Sequence, residues 1–202
     1  CLKEKIEYQN RKIDENNGLN IYEKKSSIRI GIIGRPNTGK STLINKIIGQ
    51  KRLVTGVEAG ITRDAIEVLW NYNNELISII DTAGLRKKSK VINILEKDMV
   101  NDTLRTIKYS DICILLIDAS KGIDKQDLNI ARMIIGEGRG LIIGANMWDK
   151  VLDKNIIKDE IINKLKISLS QIKKISIVFI SGLQNQGIEK LFEIVLDIKK
   201  RL

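Results

Sequence analysis

The sequence predicts an α/β domain with a mostly parallel, six-stranded sheet. Apolar runs of strand length alternate with segments of helical periodicity from residue 28 to the end of the 202-residue chain. Such alternation is typical of parallel sheets with right-handed crossovers. The runs are apolar at nearly every position, as in strands that are buried on both faces. An apolar content of 43% is enough for one domain with a sizeable core.

The predicted elements follow one another in a regular order. Strands are expected at the apolar runs, residues 28–34, 67–72, 76–80, 112–118, 140–146 and 175–181. Helices are expected where apolar side chains recur at helical spacing, residues 40–48, 94–109, 128–135, 156–172 and 188–201. The second and third strands are expected to pair around a turn at Asn73 and Asn74. Ligands of such sheets bind at the carboxyl ends of the strands, so the segments that follow the strands carry the functional information.

The leading segment differs from the rest of the chain. Residues 1–27 are polar, mixed in charge and rich in Asn, Lys and Glu, and their apolar residues form at most a weak helical stripe. We expect this segment to be a linker from a preceding domain, with the folded domain at residues 28–202. The first residue is Cys rather than Met, so the chain is expected to be part of a longer protein.

The composition excludes several classes of protein. The longest apolar run, residues 112–117, is shorter than the roughly 18–20 residues that span a bilayer, and no apolar signal segment precedes the domain. Two distant cysteines and no histidine exclude disulfide and zinc frameworks. Cys113 lies within an apolar run and is expected to be a small buried side chain. A reducing, cytoplasmic location without a membrane partner is the default expectation.

The chain is basic, with 35 Lys and Arg against 25 Asp and Glu and a net charge of +10. Such a charge attracts polyanions, RNA among them, without specifying a fold or a reaction. It equally fits a composition rich in Lys, Ile and Asn that spreads charge over the whole surface. The densest basic group is the run at residues 86–90, and both interpretations remain open.

A phosphate-binding loop follows the first predicted strand. Residues 34–41 read GRPNTGKS and fit the Gly-x-x-x-x-Gly-Lys-Ser pattern. Gly34 and Gly39 allow the backbone to curl so that its N–H groups face phosphate oxygens, and the following helix adds its positive end. Lys40 suits the β- and γ-phosphates, and the Ser41 hydroxyl suits Mg²⁺. The other predicted contacts of this loop are Arg35, Pro36, Asn37, Thr38 and Thr42.

Two further segments are expected to complete the phosphate end of the site. Asp81 ends the third predicted strand, where a carboxylate needs a partner such as a water on Mg²⁺. Gly84 can bring its backbone N–H to a γ-phosphate. Thr62 is the candidate second hydroxyl for Mg²⁺, on a segment that would order with the γ-phosphate. Thr82, Ala83 and Leu85 are the remaining predicted contacts.

The segment after the fifth predicted strand, Asn-Met-Trp-Asp at residues 146–149, predicts selectivity for guanine. Asp149 can accept bonds from guanine N1–H and the exocyclic N2 amine, whereas adenine has an acceptor at N1 and no such amine. Asn146 would tie this segment to the phosphate loop or to the base. The other predicted contacts are Met147, Trp148, Ser181, Gly182 and Leu183, and a backbone N–H of the last three could meet guanine O6.

Together these segments resemble the guanine-nucleotide-binding domains of translation-factor-related GTPases. The strings GRPNTGKSTLIN, GITRDAI, IDTAGLRKKSKV, LLIDASKGIDKQD and NMWD resemble more narrowly the bacterial double-Era-like family, Der or EngA. The long basic stretch after DTAG, the Trp of NMWD and the polar leader favour the second of that family's two G domains.

The resemblance implies a three-layer, Ras-like G domain of the P-loop NTPase class. It also implies a Mg²⁺-dependent hydrolase that converts GTP to GDP. Family proteins repeat the G domain, carry a KH-like domain after it, and assist maturation of the large (50S) ribosomal subunit. Ribosomal particles or rRNA and other domains of the same chain are therefore the expected partners.

Three positions depart from the family pattern. Met147 stands where the family usually has Lys, so a thioether replaces a cation beside the guanine ring and weaker affinity is expected. Ile61 replaces the first Thr of Gly-Thr-Thr-Arg-Asp, while Thr62 keeps the position expected to meet Mg²⁺. Gly182 replaces the usual Ala, which is expected to loosen the base loop.

The resemblance also implies how hydrolysis is assisted. GTP hydrolysis has a loose transition state, so catalysis is mainly positioning and charge stabilisation. Leu85 lies where Ras-like enzymes have a water-orienting Gln, and Asn37 resembles the residue that helps hold K⁺ against the phosphates in potassium-activated relatives. We expect slow hydrolysis that is faster in K⁺ than in Na⁺, with Lys40, Thr62, Asn37 and Gly84 as catalytic residues.

Other functions remain open from the sequence. Leu85 and Met147 also fit a nucleotide-sensing binding module that hardly hydrolyses GTP. Asp149 disfavours an ATP-using enzyme. A potassium-activated tRNA-modification GTPase of the same superfamily is less supported, because no Cys-rich or folate-type domain flanks these motifs. The basic run at residues 86–90 is either a contact to RNA or another domain, or a solvated loop.

Overall fold

The computed structural model describes residues 27–49, 68–80, 96–172 and 175–201. The strands are β1 (Ile28–Ile33), β2 (Val68–Tyr72), β3 (Glu75–Ile80), β4 (Ile112–Asp118), β5 (Gly140–Asn146) and β6 (Ser176–Phe179). The helices are α1 (Lys40–Gly49), α2 (Glu96–Tyr109), α3 (Lys125–Gly136), α4 (Lys154–Ser168) and α5 (Ile188–Lys199). Single turns of 3₁₀ helix lie at Ala119–Lys121 and Trp148–Lys150. Every strand and helix expected from the sequence has a counterpart in this order.

The strands form one sheet in the order β2-β3-β1-β4-β5-β6. β2 runs antiparallel to β3, and every other neighbouring pair is parallel, which confirms the predicted six-stranded, mostly parallel architecture. β1 lies between β3 and β4, so the strand order reverses at β1. A crevice opens at the carboxyl ends of the strands at such a reversal. The loop after β1 therefore begins where this fold binds ligands.

The core consists of two apolar clusters, one on each face of the sheet. The first packs α1 and α5 against the sheet, and the second packs α2, α3 and α4 against the opposite face. Side chains alternate along β4, with Ile114 in the first cluster and Leu115 in the second. A strand covered on both faces is therefore apolar at each position, which explains the continuous runs in the sequence. The result is three layers, with the sheet in the middle.

The turn predicted between the second and third strands is present. Asn73 and Asn74 have φ angles of 51° and 63°, both in the left-handed region. Two left-handed residues give a hairpin turn whose twist matches that of the flanking strands, and Asn tolerates this conformation better than most side chains. The hairpin places β2 at the edge of the sheet, antiparallel to β3.

Two helix boundaries differ clearly from the prediction. α3 begins at Lys125 rather than at residue 128, because Asp124 caps the helix and forms a capping box with Asp127. α4 ends at Ser168 rather than at residue 172, because the fully buried Leu169 leaves the helical conformation and the chain turns toward β6. Apolar spacing alone does not signal either end.

Three other expectations concern the chain as a whole. In the part of the chain that the structure describes, no helix is long and apolar enough to span a membrane. Cys113 is fully buried in β4, as expected for a small apolar side chain. Residues 1–26 lie outside the described residues, so the linker and the domain boundary at residue 28 stay predictions.

Candidate nucleotide-binding site

The phosphate loop, residues 34–39, joins β1 to α1 at the reversal of strand order. Gly34 and Gly39 have φ angles of 151° and 90°, which L side chains rarely adopt. A Cβ at Gly34 would lie 2.3 Å from the carbonyl oxygen of Leu116, and a Cβ at Gly39 would lie 2.2 Å from Nδ2 of Asn146. The curl of the loop therefore requires glycine at both positions. It ends at the N-terminus of α1, where unpaired N–H groups favour an anion.

Lys40, the first residue of α1, folds its side chain back over the phosphate loop. Its Nζ donates to the carbonyl oxygens of Gly34 at 2.7 Å and of Arg35 at 2.6 Å. The Thr38 hydroxyl donates to the same Arg35 carbonyl at 2.9 Å, and Thr38 is nearly fully buried. The ammonium therefore lies directly against the curled backbone, close to any phosphate oxygen that the loop binds.

The other predicted phosphate contacts lie on the exposed side of the loop. Pro36 and Asn37 are exposed, and Asn37 has a left-handed backbone with a φ of 64°. Ser41 and Thr42 are exposed in the first turn of α1. These four residues are open to solvent, as contacts to a phosphate or a metal ion require.

Asn146, at the end of β5, connects the phosphate loop to the base side of the site. Its Nδ2 donates to the Thr38 carbonyl at 2.8 Å, and its Oδ1 accepts from the backbone N–H of Gly182 at 3.0 Å. The residue is 3% exposed, so both bonds are shielded from water. The sequence allowed this amide to contact either the phosphate loop or the base, and the structure shows the contact with the loop.

The base loop, residues 146–149, changes direction at Met147, which has a φ of 61° and a ψ of 30°. The 3₁₀ turn that follows contains Asp149. The Trp148 ring is largely buried and packs on Phe179, with ring centroids 4.3 Å apart. Trp148 therefore supports the loop from the core, whereas Met147 and Asp149 are partly exposed.

The last predicted segment forms a tight turn after β6. The backbone groups of Ser181 and Gln186 pair in both directions, at 3.0 and 3.1 Å. The Ser181 hydroxyl also accepts from the backbone N–H of Gln184 at 3.0 Å. Leu183, at the tip, is 73% exposed. The turn is thus held closed by its own hydrogen bonds and leaves the Leu183 side chain in solvent.

Gly182 in this turn has room for an Ala side chain. A Cβ there would lie 3.6 Å from the Leu43 nitrogen and 3.7 Å from Oδ1 of Asn146, which are ordinary van der Waals distances. Its φ also lies outside the left-handed range. Nothing in the local backbone therefore requires glycine, and the turn lacks the methyl contact with α1 that an Ala at this position would make.

Arg35 makes contacts that the sequence did not reveal. Its Nε and Nη2 donate to the two carboxylate oxygens of Asp127 at 2.8 and 2.9 Å, and its Nη1 donates to Asp124 at 2.6 Å. Burial raises the pKa of Asp127, against hydrogen bonds from the Asp124 N–H and from Arg35 that lower it. Arg35 can contact a nucleotide through its backbone while its guanidinium binds the start of α3. The Asp-x-x-Asp pattern at residues 124–127 signals a helix start but not this partner.

Part of the predicted site lies outside the described residues. This holds for Thr62 and Asp81, expected at Mg²⁺, for Gly84, expected at the γ-phosphate, and for Ile61 and the basic run at residues 86–90. It also holds for Thr82, Ala83 and Leu85. The roles of all these residues stay predictions.

Comparison with known proteins identifies the family. Residues 29–147 match the model of a family described as 50S ribosome-binding GTPase. The chain belongs to this family. The matched segment of this GTPase domain runs from β1 through the phosphate loop to Met147 in the base loop.

Curated relatives carry a narrower name. GTPase Der from Brucella anthropi is 47% identical over 175 residues, which cover 87% of this chain and 36% of the relative. GTPase Der from Rickettsia africae is 45% identical over 179 residues, which cover 88% of this chain and 40% of the relative. The predicted resemblance to the Der family is confirmed, and the chain spans about two fifths of the length of these GTPases.

A solved structure shows the same fold. The crystal structure of Era in complex with MgGDPNP and a segment of 16S ribosomal RNA aligns with a TM-score of 0.62. The alignment covers 85% of this chain and 56% of that chain, at 24% sequence identity. The predicted three-layer G-domain fold of P-loop GTPases is therefore confirmed.

Proposed function

We propose that this chain binds GTP and GDP and hydrolyses GTP to GDP and phosphate, as one switch domain of a larger GTPase. The observation that carries this proposal is the connection through Asn146, which holds the phosphate loop and the base loop together at the carboxyl ends of β1 and β5. A nucleotide has a polyanionic end and a base end that match two such loops. Membership of the GTPase family supports the hydrolytic activity.

The phosphate end of the ligand would bind the curled loop. Backbone N–H groups of residues 34–42, other than Pro36, would donate to the α- and β-phosphate oxygens, while Lys40 exchanges its carbonyl partners for β- and γ-phosphate oxygens. Because the transition state of phosphoryl transfer is loose, fixed donors and a cation at these positions stabilise it without forming a covalent bond. Gly84 is proposed to add a backbone N–H at the γ-phosphate.

The base end would be read by Asp149. Its carboxylate accepts two hydrogen bonds from guanine, at N1–H and N2, and meets only an acceptor at N1 of adenine. Trp148, buried against Phe179, and the left-handed Met147 fix the backbone immediately before the position from which this carboxylate projects. The Leu183 backbone N–H is proposed to donate to guanine O6, since those of Ser181 and Gly182 already bond to Gln186 and Asn146.

Mg²⁺ is the metal that we propose for this site, bound by Ser41 and Thr62 and, through a water, by Asp81. Ser41 fits, since it is exposed beside the phosphate loop. The described residues contain no group of three or more His, Cys, Asp or Glu that could hold a metal alone, and Mg²⁺ in nucleotide sites takes many of its ligands from phosphate and water. When bound, Mg²⁺ neutralises charge on the β- and γ-phosphate oxygens.

K⁺ is proposed as a second cation, held in part by Asn37. Asn37 is exposed and its left-handed backbone places it on the outer side of the loop. A monovalent cation there would supply charge at the phosphates in the absence of a water-orienting Gln at Leu85. This predicts slow basal hydrolysis that depends on the monovalent salt.

A nucleotide-sensing module with little hydrolysis is the second function that the chain supports. It is motivated by Leu85, which cannot orient water, and by Met147, which provides no cation at the base. In that case the bound nucleotide would set the conformation of the domain, and conformation rather than turnover would control its partners.

The proposed partners are the large ribosomal subunit and the rest of the same polypeptide, in the cytoplasm. The family description names 50S ribosome binding, and the relatives named Der are more than twice the length of this chain. The net charge of +10 favours attraction of polyanions such as rRNA without specifying a contact surface. We further propose that the chain corresponds to the second G domain, with residues 1–27 as its preceding linker.

Competition for a bound fluorescent GDP analogue tests the proposed specificity. GTP and GDP are expected to displace the analogue at micromolar or lower concentrations, and ATP at concentrations at least about a hundredfold higher, because the adenine edge leaves a carboxylate unpaired. A preference for ATP, or no binding of either purine triphosphate at millimolar levels, contradicts the proposal.

Single-turnover hydrolysis separates the two candidate functions. With Mg²⁺ present, phosphate release that is faster in KCl than in NaCl supports a K⁺-stimulated GTPase. Tight GTP binding without measurable phosphate release in either salt supports the sensing module. Equal release in both salts retains the GTPase and removes the K⁺ site at Asn37.

A further inference from the structure

The phosphate loop has a second contact with the rest of the fold besides the one through Asn146. Arg35, the second residue of the loop, directs its guanidinium to the N-terminus of α3, where it binds Asp127 and Asp124. We call these three residues the Arg35 cluster. Neither aspartate belongs to the nucleotide-binding residues proposed above.

The geometry of the Arg35 cluster leaves the guanidinium little freedom. Nε and Nη2 meet the two oxygens of the Asp127 carboxylate side by side, and Nη1 reaches Asp124 at 2.6 Å. A planar guanidinium held by such a fork is fixed in orientation as well as in position. A lysine at position 35 could keep the charge but not the fork.

Burial constrains Asp127, one of the two carboxylates of the Arg35 cluster, whereas the Asp124 side chain is 49% exposed. The side chain of Asp127 is 0% exposed, while that of Arg35 is 21% exposed. Asp127 also accepts from the backbone N–H of Asp124 at 3.2 Å, which completes the capping box of α3. Without the guanidinium this buried carboxylate would keep a backbone hydrogen bond but lose its counter-charge, so Arg35 cannot turn away at low cost.

The backbone carbonyl of Arg35 contacts the rest of the phosphate loop and Lys40. Its carbonyl oxygen accepts from Lys40 Nζ at 2.6 Å and from the Thr38 hydroxyl at 2.9 Å. One residue therefore joins the start of α3 to the lysine of the phosphate loop. Displacement of the guanidinium would shift the carbonyl that orients the ammonium.

We propose that Asp127 and Asp124 are positioning residues for polyphosphate binding, acting through Arg35 on the phosphate loop and Lys40. This inference rests on the proposed nucleotide function of the loop. It extends the functional site to α3, a helix whose aspartates lie 89 and 92 positions from Arg35 in the chain. The expected consequence is specific to phosphates, because the base loop is held by a different residue, Asn146.

The test compares ligands with and without phosphates on the 202-residue chain and its variants. GDP and guanosine compete with a fluorescent GDP analogue, and the ratio of their inhibition constants is measured. Asp127→Asn and Arg35→Lys are expected to weaken GDP binding by about tenfold or more, since one misaligned charge-assisted hydrogen bond to phosphate suffices for that factor. The inhibition constant of guanosine is expected to change by less than about twofold, because guanosine contacts only the base loop.

The ion pair of Arg29 and Asp111 provides a matched control. Arg29 donates from Nη2 to Asp111 Oδ1 at 2.8 Å and from Nε to Oδ2 at 3.3 Å, at the amino ends of β1 and β4 and away from the phosphate loop. Asp111→Asn is expected to lower the unfolding temperature while leaving the ratio of GDP to guanosine affinity unchanged. A purely structural role of the Arg35 cluster predicts the same result for Asp127→Asn, and that result would overturn the inference.

A double variant and the unaltered chain complete the test. The double variant Arg35→Lys with Asp127→Asn is expected to lose no more GDP affinity than the more strongly affected single variant, because both substitutions act through one contact. If the losses of GDP affinity in the two single variants multiply in the double variant, the proposed action of Asp127 through Arg35 is contradicted. If the unaltered chain binds neither GDP nor GTP, the proposed function itself fails and the positioning role with it. If it binds both while the single variants keep their affinity ratios, the inference alone fails.

Discussion

The phosphate loop and the base loop differ in how much change their surroundings allow. At Gly34 and Gly39 a single added carbon would lie 2.3 and 2.2 Å from neighbouring atoms, closer than real Cβ contacts come. At Gly182, on the base side, the nearest atom would be 3.6 Å away. Steric constraints therefore require glycine at these two positions of the phosphate loop, whereas position 182 on the base side can accept a side chain.

This difference matches where the chain departs from its family. Of the three departures, Met147 and Gly182 lie on the base side, Ile61 lies outside the described residues, and the phosphate loop has none. Phosphate binding depends on backbone geometry, which a single Cβ can block. Base binding depends on side chains, which can be substituted one at a time. We therefore expect changes to the phosphate loop to abolish binding and changes to the base side to adjust it.

Gly39→Ala is expected to have the largest effect. The new methyl would meet Asn146 Nδ2 at 2.2 Å on a backbone with φ of 90°, so both loops must shift, and with several phosphate hydrogen bonds misaligned GDP affinity is expected to fall by about a hundredfold or more. Calorimetric titration with GDP measures the loss. Gly136→Ala at the end of α3, where a Cβ would have no neighbour within 4 Å, is the control and should bind as before. Unchanged affinity in Gly39→Ala would show that the loop can relax.

Asn146→Ala is expected to rank second. It leaves the Thr38 carbonyl and the Gly182 N–H without their buried partner, at a cost of roughly 1–3 kcal/mol for each group. The free energy of unfolding by urea should fall, and GDP affinity should fall about tenfold or more as the loops separate. The control is Asn155→Ala in α4, since Asn155 is exposed. Equal stability of the two variants would contradict the proposed connection.

Asp149→Asn is expected to change the base that is preferred. An amide offers one acceptor and one donor, which matches the N1–H and O2 of xanthine and mismatches the N2 amine of guanine. A bidentate pair discriminates by about 1–3 kcal/mol, so the affinity for GDP should fall and the affinity for xanthosine diphosphate (XDP) should rise by roughly 5- to 150-fold. Asp153→Asn, at the exposed N-cap of α4 without a side-chain capping bond, should leave both affinities unchanged. Competition assays with the two diphosphates measure the ratio, and a variant that still prefers GDP as before excludes Asp149 as the base contact.

Met147→Lys should strengthen binding moderately. The position is left-handed with φ 61°, which Lys tolerates as well as Met does. A cation over the guanine ring contributes about 0.5–1 kcal/mol at a partly exposed site, or roughly two- to fivefold in GDP affinity. Met147→Leu, which keeps an apolar side chain, serves as the control. If Lys and Leu bind GDP equally, charge at this position does not matter.

Gly182→Ala is expected to have the smallest effect. It should stabilise the domain, whereas Gly39→Ala should weaken GDP binding. Its Cβ would make ordinary contacts, and the loss of backbone freedom in the unfolded chain should raise the free energy of unfolding by about 0.4–1 kcal/mol. Gly187→Ala is the contrasting variant, because its φ is 74° and its Cβ would lie 2.5 Å from the Phe179 carbonyl. It should destabilise the domain. A loss of stability in Gly182→Ala would mean that the turn needs glycine.

Local signals in the sequence correctly predict much of this fold. The strands, the Asn73-Asn74 turn and the glycines of the phosphate loop follow from residue types at neighbouring positions. The predicted start of α3 was wrong although the capping pair Asp124 and Asp127 is a local signal, because apolar spacing alone does not contain it, and the predicted end of α4 was wrong because the burial of Leu169 decided it. The Arg35 cluster was missed for a stronger reason. Its two aspartates lie 89 and 92 positions from Arg35 in the chain, and no local pattern connects them to it.

By itself the sequence determined the order of the strands and helices, the curl of the phosphate loop and the resemblance to a GTPase family. These depend on backbone preference and on apolar spacing, which act over a few residues. Only the tertiary structure decided that Asn146 contacts the phosphate loop, that Trp148 lies in the core and that the guanidinium of Arg35 binds α3. Each of these contacts joins atoms that are distant in the chain, so it exists only once the sheet has brought the carboxyl ends of its strands together.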